Sequence, residues 1–313
     1  MNIRTGLALA IVAALAACSN EAPPADTAAV TPPPAETAPV AAPAPAADPI
    51  DAILAGTHRS DENKARDQYR HPKETLAFFG IAPTMTVVEV TPGGGAWYTE
   101  ILAPYLRDAG KLVAVTWDTS APDAPGYYAR NNEQLKAKLA ADAALYDKVD
   151  LRLFDAKAPN FGDANSADAV VTFRNVHNWT MAGNDGDYFK AFFDVLKPGG
   201  VLGVVEHRAN PGTTVEQTKE SGYLTEDYVI GLATAAGFVL EEKSEVNANP
   251  KDTKDHPEGV WTLPPSYALK DVDREKYAAI GESDRMTLRF RKPSEMADGG
   301  EAADAAAQPA TGG

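Results

Sequence analysis

The chain of 313 residues has a single cysteine, Cys18. A disulfide within it is therefore impossible. It also lacks any basic cluster. With 29 Lys and Arg against 44 Asp and Glu, the formal charge is −15, a balance that argues against nucleic acid as a partner. A run long enough to span a membrane as a helix is missing too. The apolar core of "MNIRTGLALAIVAALAACSN", Leu7 to Ala17, falls short of the roughly 20 residues that a span needs.

What stands at the amino end instead is Arg4, that short apolar core, and small residues before Cys18. This is the layout of a secretory signal peptide over residues 1–17. "LAAC", Leu15 to Cys18, resembles the bacterial lipobox, which implies lipidation of Cys18 and an exported chain anchored to a membrane. Ser19, in place of an aspartate, resembles the pattern of outer-membrane sorting, with the chain facing the periplasm. Residues 18–48 are rich in Ala, Pro and Thr without a periodic apolar face and read as an extended tether. Residues 296–313 are equally poor in large apolar side chains and read as a disordered tail. Residues 49–295 remain, enough for one domain with a sizeable core. Oligomeric state is left open.

Within that domain short β-branched runs alternate with helical patterns, the signature of a mostly parallel α/β sheet. Strands are expected at Thr86–Val90, Leu112–Thr116, Leu151–Phe154, Ala169–Phe173 and Val201–Val205, with two more near Phe238–Val246 and Met286–Phe290. Helices are expected near Trp97–Leu106, Asn131–Tyr146, Tyr188–Leu196 and Thr225–Ala236, each with apolar residues three and four apart. Asn249 to Asp284 is an insertion too long for an ordinary hairpin loop. The mixed charges of "THRSDENKARDQYRHP" read as a solvated helix face.

The first strand runs into "TPGGGAWY". In an open α/β sheet that turn is where backbone meets cofactor. A nicotinamide fingerprint starting at Gly93 would need a third glycine where Tyr98 stands, which disfavours a dinucleotide.

Together, "VVEVTPGGGAWYTEILAPYL", "RNVHNW" and "LKPGGVLGVVEHR" resemble a family of class I S-adenosylmethionine-dependent methyltransferases with exported members. The resemblance implies a Rossmann-like seven-stranded sheet, mostly parallel, with the last strand antiparallel and helices on both faces. It also implies S-adenosylmethionine as cofactor, held by Glu89, Gly93, Gly94, Gly95, Asp118, Asp155 and Asn175. Thr91 departs from the glycine usual at its position. Methyl transfer needs alignment, plus a base where the acceptor is an alcohol or a protonated amine. His177, Asn178, Glu206 and His207, after the fourth and fifth strands, are the catalytic candidates. His177, Glu206 and His207 could also ligate a metal, but their spacing is not diagnostic and no metal is expected. A small-molecule or envelope acceptor is implied. The other reading is a lipid-anchored binding protein that keeps this fold without the reaction. In the resembled family the segment before the first strand could form a lid, with Tyr69, Arg70 and His71 turned inward.

Overall fold

The computed structural model describes residues 49–294. The expected signal peptide, lipidated Cys18 and tether therefore lie outside the described residues, as does the tail. Among the described residues no helix is long and apolar enough to cross a membrane.

Seven strands form one sheet: β1 (Thr86–Val90), β2 (Lys111–Trp117), β3 (Asp150–Phe154), β4 (Ala167–Phe173), β5 (Leu196–His207), β6 (Val239–Ser244) and β7 (Arg285–Arg291). Their order is β3-β2-β1-β4-β5-β7-β6. The first five are parallel, and β7 runs antiparallel between β5 and β6. The β5 strand begins earlier than its β-branched run, because "LKPGG" is already extended and Leu196 pairs with Ala167.

Among the described residues twelve α-helices accompany the sheet. Four precede it: α1 (Pro49–Ala55), α2 (Asp61–Lys64), α3 (Asp67–Arg70) and α4 (Pro72–Phe78). Three lie between β1 and β3: α5 (Thr99–Leu106), α6 (Gly126–Ala141) and α7 (Ala143–Tyr146). The helix expected over Asn131–Tyr146 thus starts earlier, at Gly126 behind Pro125, and breaks at Asp142, whose φ of −141° and ψ of 83° are not helical. Then come α8 (Val176–Ala182), α9 (Asp185–Val195), α10 (Val215–Thr218), α11 (Glu226–Ala235) and α12 (Arg274–Ile280).

Alternation along the strands divides the core. Val88, Val113, Val170 and Leu202 pack with Phe189, Phe192 and Val229 of α9 and α11. Val87, Leu112, Val171 and Val201 pack on the other side with Leu76, Ile101 and Leu106 of α4 and α5.

The helices before β1 depart from the solvated reading. Arg59 and Arg70 are buried. The Arg59 Nε donates to Glu100 Oε1 at 2.9 Å, and its two Nη atoms reach Asp67 at 2.8 and 2.7 Å. Trp97 lies between the two guanidinium groups, 5.1 Å from Arg59 and 4.6 Å from Arg70. Arg59 and Arg70 face inward because Asp67 within the segment and Glu100 and Glu282 beyond it receive them, whereas Asp61 and Glu62 stay exposed. The insertion is also ordered. Its buried Asp252 accepts from the Tyr223 hydroxyl at 3.0 and 2.9 Å and from the Asp284 N–H at 2.8 Å, which brings Trp261 to the sheet.

Candidate active site

Ligands of an open α/β sheet sit beyond the carboxyl ends of its strands, and two cavities open there. The larger, about 880 Å³, is lined by Trp117 and Asp118 at the end of β2, Tyr127 and Tyr128 at the start of α6, Asp155 after β3 and Asn175 after β4. Its volume lies within the roughly 300–1,000 Å³ common for small-molecule sites. The rings of Trp117 and Tyr128 stack at 4.2 Å, giving the cleft a flat aromatic wall. Asp118 Oδ1 accepts the Ser120 N–H at 2.9 Å, and Asp155 Oδ1 accepts the Lys157 N–H at 2.9 Å. Both are local turn bonds of the kind that aspartate favours. Among the described residues the second oxygen of each carboxylate carries no hydrogen bond.

The glycine turn is different from its sequence reading. Gly94 lies under α6: its N–H donates to Asn131 Oδ1 at 2.8 Å, and a Cβ added there would stand 2.0 Å from Gln134 Oε1. Gly95 gives its carbonyl to Lys138 Nζ at 3.3 Å. It is therefore α6 that crowds the backbone at Gly94. Only Gly93, at φ 71°, borders a cavity. Glu89 lines neither cavity. It is buried, accepts the Thr99 hydroxyl at 2.7 Å, and burial pushes its carboxyl up to about 7. Thr91 occupies the first-glycine position at φ 48°, and its buried Oγ1 has no partner. A β-branched residue held in this conformation is uncommon and strained.

The smaller cavity, about 270 Å³, adjoins the first through Asn175 and Asn178 and is lined by Thr91, Arg174, His177, His207 and Trp261 among others. Asn175 Nδ2 donates to the Val90 carbonyl at 3.2 Å, tying the ends of β1 and β4 together. Glu206 is fully buried and organises the histidines. Its Oε1 accepts the His207 N–H at 2.7 Å and lies 2.9 Å from His177 Nδ1, and its Oε2 accepts the His177 N–H at 3.2 Å. An ionised carboxylate only accepts, so Nδ1 of His177 carries the proton and Nε2 is the acceptor. The two imidazoles lie 5.2 Å apart. His207 Nδ1 is 2.5 Å from the Ser283 hydroxyl. Burial, then the neighbouring His177 ring and the guanidinium groups of Arg285, Arg174 and Arg70, hold His207 well below the usual imidazole range, so it is neutral at neutral pH. Glu206, rather than Asn178, orients the His177 ring. Ligand-type atoms of His177, Glu206 and His207 lie within 4.8 Å of one another, but both carboxylate oxygens of Glu206 already receive donors.

No family model matches the chain, and no curated protein does. Solved structures do. One from Galdieria sulphuraria, bearing the name sarcosine dimethylglycine methyltransferase, is 13% identical with a TM-score of 0.52 over 80% of this chain and 90% of its own. The cyclase SpnF is 19% identical with a TM-score of 0.52 over 79% and 93%. A SAM dependent methyltransferase from Aquifex aeolicus is 15% identical with a TM-score of 0.47 over 73% and 93%. The fold is that of the class I methyltransferases. At such identities the likeness extends to the methyltransferase fold alone. A cyclase among its neighbours underlines that this fold does not fix a reaction.

Several residues of the two cavities escaped the sequence reading. Tyr127 and Tyr128 lie in the first turn of α6, ahead of the expected start at Asn131, because the Pro125–Gly126 pair before them reads as a turn rather than a helix start. Ser283 comes from the far end of the insertion and Arg285 from the start of β7, and nothing in their local sequence links them to the histidines.

Proposed function

We propose that the chain transfers a methyl group from S-adenosylmethionine to a small-molecule or envelope acceptor. The observation that carries this reading is that Asp118 and Asp155, from the ends of neighbouring strands, line one 880 Å³ cleft of a methyltransferase fold. The residues present fit the cofactor. Each acid has an oxygen left for the hydroxyls of a ribose or the amine of an adenine. The Trp117–Tyr128 wall offers a planar base a stacking surface. Bound there, the cofactor supplies an electrophilic methyl group on a sulfonium.

The chain's own part is alignment and removal of a proton. His177, with Nδ1–H on Glu206, takes the acceptor's proton at Nε2, and the Glu206 carboxylate stabilises the imidazolium that results. His207 is a poor base because its surroundings disfavour its charged form.

Asp118→Ala is expected to weaken binding of S-adenosylhomocysteine by about one to two decades, the effect of losing a charged hydrogen-bonding partner worth roughly 1.5–3 kcal/mol. Melting should not change, because Asp118 is exposed. An unchanged dissociation constant in calorimetry would return Asp118 to a turn residue. The same proposal holds the chain at a membrane through acyl chains on Cys18. A Cys18→Ser chain should appear in the soluble fraction or as unprocessed precursor, and unaltered membrane association would contradict the anchor.

A second reading, a binding protein that keeps the fold without the reaction, is favoured by one observation. The Gly94 N–H is already bound to Asn131, so the turn has fewer free amides to offer a ligand than the resemblance implies.

A further inference from the structure

Beside the histidines lies a concentration of positive charge that the methyl transfer above does not use. Arg66, Arg70 and Arg285 converge on a single carboxylate, Glu282. The Nε of Arg66 donates at 2.5 Å, the Nε of Arg70 at 3.3 Å, and Nη2 of Arg285 donates as well. Arg174 adds a fourth positive charge near the same acid. Burial alone would raise the Glu282 carboxyl, yet the four guanidinium groups hold it well below the usual range. One acid does not balance four arginines.

The surplus has unfilled donors. Arg66 Nη2, Arg70 Nη2 and Arg285 Nε are buried with no hydrogen-bond partner. Arg174, at the end of β4 with φ 59°, has no side-chain hydrogen bond or ion pair among the described residues. Burial, then the charge of Arg285, lowers its guanidinium to about 10. Keeping an unpaired cation partly out of water is costly, and a buried charge is ordinarily paired. Both Arg174 and Arg285 line the 270 Å³ cavity, together with Ser266, Ser283 and the two histidines. Guanidinium groups suit the planar, bidentate recognition of carboxylate and phosphate.

We infer that this cavity is an oxyanion site that binds the carboxylate or phosphate of the methyl acceptor, with Arg174 and Arg285 as its cationic partners. Calling the bound molecule an acceptor rests on the methyl transfer proposed above. The same chemistry could come from the amino-acid end of the cofactor, so the test must separate the two sources.

The purified full chain is titrated calorimetrically with inorganic phosphate and with acetate, each with and without saturating S-adenosylhomocysteine, and the series is repeated on Arg174→Gln. Phosphate or acetate should bind in both conditions, the stronger of the two naming the anion. Arg174→Gln should weaken that binding by about tenfold or more. Its affinity for S-adenosylhomocysteine should not change. Melting of the free variant should be equal or higher, since an unpaired cation is removed, whereas a merely structural arginine would lower it. Failure of both anions to bind, or equal binding by the variant, overturns the site. Competition between the anion and S-adenosylhomocysteine overturns the assignment to the acceptor. If the anion binds while S-adenosylhomocysteine does not, the methyl-transfer reading falls and the oxyanion site stands.

Discussion

His177→Ala is expected to lower turnover by about 10² to 10⁴-fold, the usual effect of removing a general base, with S-adenosylhomocysteine affinity preserved. The reason is geometric. His177 is held by its own N–H and by Nδ1 on the two oxygens of Glu206 and lines the smaller cavity, which leaves Nε2 as the ring nitrogen for the acceptor's proton. His207→Ala should cost less, because the surroundings of that ring oppose its taking a proton. Glu206→Gln keeps the shape but replaces an acceptor-only group by one that also donates, and should therefore lower turnover as well. Turnover for an acceptor that must lose a proton, compared with melting temperature for all three variants, checks the assignment. A fully active His177→Ala would rule it out.

Arg59→Ala should destabilise the fold by about 3 kcal/mol, the low end of the roughly 3–5 expected when one partner of a buried ion pair is removed. Arg59 and Glu100 have side chains with no exposure at all. Loss of the guanidinium leaves the Glu100 carboxylate with Asn63 and with Lys138 Nζ at 2.5 Å. That remaining ammonium is why the low end applies. Arg59→Lys keeps a charge but cannot bridge Glu100 and Asp67 with three nitrogens, so it should fall between. Denaturant unfolding of the full chain measures the difference, and a loss under about 1 kcal/mol would show that the pair does not hold the helices before β1 to α5.

These two regions differ in how far the sequence announced them. The strands were legible because runs such as "TVVEV" and "VVTF" leave little choice but a buried parallel strand. His177 and Glu206 were legible as candidates because they stand at the carboxyl ends of the central strands β4 and β5, and in this fold the ends of neighbouring strands meet. The burial of Arg59 was not legible. Its charge periodicity is that of a solvated face, and Glu100, which accepts its Nε, stands 41 residues away. The arginine cluster is more distant still, since Arg66 and Glu282 are separated by 216 residues. The packing of the glycine turn was hidden for a related reason. Glycine marks a close approach of backbone to something, but not whether that something is a ligand or, as at Gly94, another helix of the same chain.

The most direct measurement is calorimetric titration of the unmodified full chain with S-adenosylhomocysteine. The expected result is saturable binding of one molecule per chain, weakened by Asp118→Ala. Absence of any binding heat, together with no change in melting temperature at saturating ligand, would contradict a cofactor site in the cleft between β2, β3 and β4.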